Sequence, residues 1–129
     1  YGKLAYIAPE IAAGREASVQ SDLFSMGVVL WEALAGRALY QGKTDAEIFF
    51  AARRAEIPPL SELRPDLPPD LADASHRALA ADPAQRFRNA KEYLYALTRL
   101  LRAVTHSTDS FALSQSVMEA HRALAATAG

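Results

Sequence analysis

No cysteine occurs in the 129 residues. That excludes disulfides and thiolate metal sites, and it suits a cytoplasmic protein. The three histidines, His76, His106 and His121, lie far apart and lack ligand spacing, so no metal site is expected. Neither sign of charge dominates: 14 Lys and Arg against 15 Asp and Glu leave a net charge of -1. There is no electrostatic case for nucleic acid or an anionic membrane surface. No apolar run reaches the roughly 20 residues that span a bilayer, and no signal peptide is visible. Glycine is sparse, with 6 in the chain, and none fall in a G-x-G-x-x-G run able to cover phosphates. No internal repeat is found. Methionine is missing from the first position, which is Tyr1, so a fragment or a processed product is expected.

What is present is ordinary for a globular domain: 50% hydrophobic and 22% charged residues, and enough length for one core. The chain is organised around Ser21 to Gly36. Its apolar residues Leu23, Phe24, Met26, Val28, Val29, Leu30, Trp31 and Leu34 cover nearly the whole circumference at helical pitch. A helix apolar all round is one that the rest of a domain packs against. Ser21 or Asp22 is placed to cap its start, and Gly36 to end it in a left-handed turn. Arg15 to Gln20 reads as a polar linker into this helix.

Other elements follow from local signals. Pro9 opens a short helix to Ala13. Thr44 and Glu47 form a capping box, predicting a helix over Asp45 to Arg54. Ile57 to Asp70 carries Pro58, Pro59, Pro65, Pro68 and Pro69 and reads as a rigid loop. Pro69 starts a helix to about Ala81, stopped by Asp82-Pro83. Asn89 caps a helix to Val104, with Leu94, Leu97, Leu100 and Leu101 on one face. After a polar break at Thr105 to Asp109, a last amphipathic helix runs from Ser110 to about Thr127. The expected fold is all-α with about six helices.

Four short motifs occur in order. They are Ala8-Pro9-Glu10 within Gly2 to Glu10, Asp22-x-x-Ser25-x-Gly27, Leu30-Trp31-Glu32 with Gly36 to Tyr40, and Asp82-Pro83-x-x-Arg86-Phe87. Together they resemble the helical C-terminal lobe of the protein-kinase fold, in the style of bacterial eukaryotic-like serine/threonine kinases. The likeness begins within the activation segment and covers about Gly2 to Leu101. It implies a division into a partial kinase domain, residues 1–104, and a linker with a C-terminal helix, residues 105–129.

The resemblance assigns roles. Glu10 and Arg86 would pair in a buried salt bridge, a planar guanidinium against a carboxylate. Asp22 would tie down the catalytic loop, while Gly27 and Trp31 would be structural. Lys3, Leu4, Tyr6 and Ile7 resemble the loop that receives the substrate residue after the phosphoacceptor. Lys3 departs from the family's usual threonine. Glu32 resembles an acidic position at the peptide groove. An exposed helix charge fits Glu32 equally, and an ordinary N-cap fits Asp22.

The chain has no G-x-G-x-x-G, H-R-D or D-F-G, the parts that hold nucleotide and metal. The resemblance therefore implies that a parent kinase would use ATP and magnesium to phosphorylate protein Ser or Thr, with this chain supplying the substrate-binding lobe. Alone, the chain is expected to be inactive and to lack a cofactor. Its expected partners are a protein or peptide substrate and the N-terminal part of the kinase, with no nucleic acid and no membrane segment. Membrane anchoring of the parent is left open. The alternative is a pseudokinase or a stand-alone helical interaction module.

Overall fold

A computed structural model describes residues 4–105, together with Arg122 and Ala123. Among the described residues there are six α-helices and no strand: α1, Pro9–Ala12; α2, Val19–Ala35; α3, Asp45–Arg53; α4, Leu60–Leu63; α5, Pro69–Ala78; and α6, Ala90–Thr105. Two 3₁₀ turns, Leu4–Tyr6 and Pro83–Gln85, join them.

Helix α2 is the axis of the fold. Leu23, Phe24, Met26, Val28, Leu30, Trp31 and Leu34 are all buried, because α4, α5, α6 and both 3₁₀ turns pack around it. Burial on several sides explains its all-round apolar pattern. Close packing is tightest at Gly27. A Cβ there would lie 2.9 Å from Leu79 Cδ2 and 3.1 Å from Ala78 Cβ, so a side chain would push α5 off α2. Trp31 is fully buried and donates its indole N–H to the Pro58 carbonyl at 3.0 Å, fastening the proline-rich segment to the core.

The start of α2 differs from expectation. The helix begins at Val19, and Ser18 is its cap. The Ser18 hydroxyl accepts from the Ser21 N–H at 3.2 Å, and the Ser21 hydroxyl accepts from the Ser18 N–H at 2.7 Å. Ser21 is thus the third helical residue of a reciprocal box, and Asp22 lies in the first turn. The supposed linker supplies the helix's opening residues. At the other end Gly36 sits at φ 75° and donates to the Glu32 carbonyl, the left-handed ending its sequence position suggested.

The capping box of α3 forms, with Thr44 N–H donating to Glu47 at 2.8 Å and Glu47 N–H to Thr44 at 3.2 Å. Pro69 stands in the first turn of α5, and Asn89 accepts from the Glu92 N–H at 2.8 Å to open α6. Helix α5 stops at Ala78 rather than Ala81. The proline-rich segment is not all loop: α4 forms inside it because Pro59 occupies the N-cap, where no donor is needed. The expected Ser110 to Thr127 helix lies outside the described residues except for Arg122 and Ala123, which are helical.

Candidate functional site

The Arg86 side chain is held by five hydrogen bonds. It follows the 3₁₀ turn Pro83–Gln85, itself capped by Asp82, whose carboxylate accepts the Ala84 N–H at 3.0 Å. This turn aims Arg86 inward. Its guanidinium donates to both carboxylate oxygens of Glu10 at 2.7 and 2.9 Å. It also donates to the carbonyls of Ala80 at 2.8 Å and Gln20 at 3.0 Å, and reaches Ala81 at 3.5 Å. The group lies 4.9 Å from the Phe24 ring centroid. The Arg86 side chain is 0% exposed and that of Glu10 9%. A bidentate pair whose remaining donors are all engaged is the arrangement that a buried charge requires. It joins four elements: α1, the start of α2, the end of α5 and the turn before α6.

Glu10 feels two opposing influences. Burial raises its carboxyl pKa, but hydrogen bonding from Arg86, its own backbone and the charges of Arg86 and Arg15 outweigh this, leaving it below the ordinary value. Glu10 is therefore ionised at neutral pH.

Beside this staple runs the segment before α1. The 3₁₀ turn Leu4–Tyr6 lies against α2 and α3. Ser25 Oγ donates to the Tyr6 carbonyl at 2.8 Å, and the Tyr6 hydroxyl donates to Glu32 Oε1 at 3.2 Å. The other oxygen of Glu32 accepts the Leu39 N–H at 2.9 Å. One half-buried carboxylate thus holds both the Leu4–Tyr6 turn and the loop leaving α2. Ile7 closes the turn by donating its N–H to Leu4 O at 3.2 Å. Leu4, Tyr6 and Ile7 are all partly exposed, so the surface they form is accessible yet fixed at both ends.

The residues singled out from the sequence therefore fall into distinct places. Glu10 and Arg86 meet. Tyr6 and Glu32 meet. Leu4 and Ile7 flank them. Lys3 lies outside the described residues. Asp22 is exposed on the first turn of α2, where its charge complements the helix's positive end. It borders a cleft lined by Val19, Leu23, Ser25, Met26 and Leu94. Gly27 and Trp31 are core positions, on faces of α2 that meet α5 and the Pro58 segment.

Three contributors were missed by sequence reasoning. Ser25 fixes the Tyr6 carbonyl; its only signal was its place in the Asp22-x-x-Ser25-x-Gly27 motif. Arg64 donates to the Leu34 carbonyl at 2.8 Å, satisfying an open end of α2, and grips Asp66 with two bonds of 2.9 and 2.8 Å. Hydrogen bonding from Arg64 holds the Asp66 carboxyl below its usual value. His76 Nε2 accepts the Leu60 N–H at 3.0 Å. An Arg-x-Asp pair among prolines hints at the second, and nothing in the sequence marks the third.

Comparison with known proteins agrees with this geometry. Residues 1–96 match the family model for the protein kinase domain. A tyrosine-protein kinase of Myxococcus xanthus, MasK, is 37% identical over 78% of this chain and 16% of its own length. The serine/threonine-protein kinase PknA of Mycobacterium tuberculosis is 40% identical over 68% of the chain and 20% of its own length. The corresponding values for PrkC, a serine/threonine-protein kinase of Bacillus subtilis, are 32%, 70% and 14%. A solved structure of the Rad53 kinase domain superposes with a TM-score of 0.58 and 27% identity, over 90% of this chain and 47% of that one. The chain belongs to the protein kinase family, and what it carries is an all-helical part of that fold, of the bacterial eukaryotic-like kind. It spans about a fifth or less of the curated relatives it matches.

Proposed function

We propose that the chain is the substrate-binding helical lobe of a serine/threonine protein kinase whose whole length transfers the γ-phosphoryl group of ATP to a protein hydroxyl. The observation that carries this is the Leu4–Tyr6 turn. Its backbone is clamped by Ser25 and its side chain by Glu32, immediately before the Ala8-Pro9-Glu10 motif that anchors it through Arg86. Leu4, Tyr6 and Ile7, with Lys3, present the acceptor peptide, and Glu32 sets the position of that surface. Asp22 faces the catalytic loop. Residues 1–104 form the partial kinase domain, and residues 105–129 a linker and C-terminal helix.

Phosphoryl transfer is chiefly positioning and charge stabilisation. This lobe's contribution is positioning. The family's nucleotide- and metal-binding motifs, G-x-G-x-x-G, H-R-D and D-F-G, are not in the sequence. ATP and magnesium are therefore assigned to the parent's other segments, and no residue here is given a role toward them. No helix among the described residues is long and apolar enough to cross a membrane.

Acceptor choice tests the proposal, because the names of PknA and PrkC point to serine or threonine and that of MasK to tyrosine. The experiment joins this chain to the N-terminal part of the PrkC kinase domain and supplies labelled ATP with matched Ser, Thr and Tyr peptides. Label on Ser or Thr supports the proposal. Label on Tyr alone transfers the assignment to the tyrosine class.

A further inference from the structure

Residues 57–67 form a strap between α3 and α5, packed on α2 through α4. Pro58, Pro59 and Pro65 carry no N–H. Among the described residues the strap's backbone hydrogen bonds close on the strap itself. The Glu62 and Leu63 N–H groups donate to the Pro59 carbonyl, Arg64 N–H to Leu60, and Leu67 N–H to Arg64. Side chains fasten it to the other helices. Trp31 of α2 donates to the Pro58 carbonyl at 3.0 Å, Arg64 donates to the Leu34 carbonyl at 2.8 Å, and His76 of α5 accepts the Leu60 N–H at 3.0 Å. Leu60 and Leu67 bury their side chains in the core.

Acid acts on these fastenings unequally. The indole and the carbonyls do not titrate. Arg64 keeps its charge, and its hydrogen bonds hold the Asp66 carboxyl below the usual range. His76 differs. A neutral imidazole accepts at Nε2, whereas an imidazolium has two donors and no acceptor. Burial opposes the charging of His76, and the Asp73 carboxylate one turn back partly offsets that. Other charges on α5 and on the helices packed against it are engaged or turned outward. Arg77 pairs with Glu92 of α6, and Glu32 of α2 holds Tyr6 and Leu39. Asp22, Glu62, Asp70, Lys91, Arg99 and Arg102 are exposed.

We propose that residues 57–67 are an acid-released strap: protonation of His76 removes the acceptor of the Leu60 N–H, and the strap opens as a unit while α2, α5 and α6 remain packed. An open strap leaves His76 in water, where it takes up a proton below about pH 6.5, so acid favours the open form. The strap gives way first because its backbone bonds are its own, so opening it breaks no ladder of a neighbouring helix. It leads out of α3, which packs on α1 and on the Leu4–Tyr6 turn, so release frees the trailing end of that helix.

The test is amide hydrogen exchange of the full chain, followed by NMR at about pH 7.5 and about pH 5 and corrected for intrinsic exchange at each pH. The Leu60 amide is compared with the Leu97 amide in α6. Leu60 is expected to exchange by a local route, less protected than Leu97 at both pH values and not accelerated by low urea. Its protection should drop about tenfold from the higher pH to the lower, the effect of losing one hydrogen bond. His76→Gln keeps an acceptor that does not titrate, and its Leu60 protection should be equal at both pH values. Leu60 and Leu97 sharing one protection and one urea dependence overturns the proposal, since the strap then opens only by global unfolding. A wild-type Leu60 protection unchanged by pH overturns it too, as does a pH dependence retained in His76→Gln. The wild-type comparisons stand without the variant.

Discussion

Arg86 and Glu10 are separated by 76 positions yet share two charge-assisted hydrogen bonds, with the Arg86 side chain fully buried. The pair ties α1, near the start of the fold, to the turn before α6 by charge rather than by apolar contact. Burying such a pair need not add net stability, but removing one partner strands the other.

Arg86→Ala is therefore expected to lower stability by roughly 3–5 kcal/mol, measured by urea denaturation. Arg86→Lys should also destabilise, since an ammonium cannot serve both Glu10 oxygens and the Ala80 and Gln20 carbonyls together. Because Glu10 is held below its ordinary pKa, its contribution is present above about pH 4.3 and is lost as pH falls through the folded value. A melting temperature unchanged in Arg86→Ala refutes this account of the pair.

Gly27 sets how closely α2 and α5 approach. Gly27→Val is expected to cost about 1–3 kcal/mol by overpacking, because its Cβ would meet Leu79 at 2.9 Å and Ala78 at 3.1 Å. Leu79→Ala in the same chain should recover part of that loss. A double mutant no better than the sum of the singles places the strain elsewhere.

Glu32 serves two donors at once, so Glu32→Ala removes the acceptor of the Leu39 N–H and breaks the bond from the Tyr6 hydroxyl. About 1–3 kcal/mol of stability is at stake, and Glu32→Gln should lose less. In a complete kinase the same change is expected to raise the KM for peptide more than it lowers kcat, a split that steady-state kinetics resolves.

His76 predicts an acid limb in stability. Burial holds its imidazole below the ordinary value, partly opposed by the Asp73 charge, and its Nε2 must stay unprotonated to accept from Leu60. Below about pH 6.5 the unfolded chain takes up the proton first. Stability should fall with pH from there and level off below the folded pKa. Urea midpoints between pH 8 and 5 check this, and His76→Gln should flatten the slope.

Much of this was legible in the sequence because it rests on local chemistry. The Thr44–Glu47 box, Asn89, Pro69 and Gly36 all act where the residue type demands. The buried axis α2 was legible because its apolar residues leave no polar face. The start of α2 was not, since Val19 and Gln20 carry no helical apolar period and two serines compete for the cap. Helix α4 was hidden by its prolines, which stand at its margins and not inside it. The Arg64 bond to Leu34 and the His76 bond to Leu60 join segments far apart in the chain, and no spacing rule announces them. The Glu10 and Arg86 contact was anticipated only through the order of family motifs, and neither residue alone would have suggested it.

The most direct test of the central claim is phosphoryl transfer by a hybrid in which this chain completes the PrkC kinase domain. The account predicts label on a Ser or Thr peptide from the hybrid, and loss of that label with Arg86→Ala as the lobe unfolds. A hybrid that folds and binds ATP yet transfers nothing to any peptide would contradict the claim that this lobe presents a substrate.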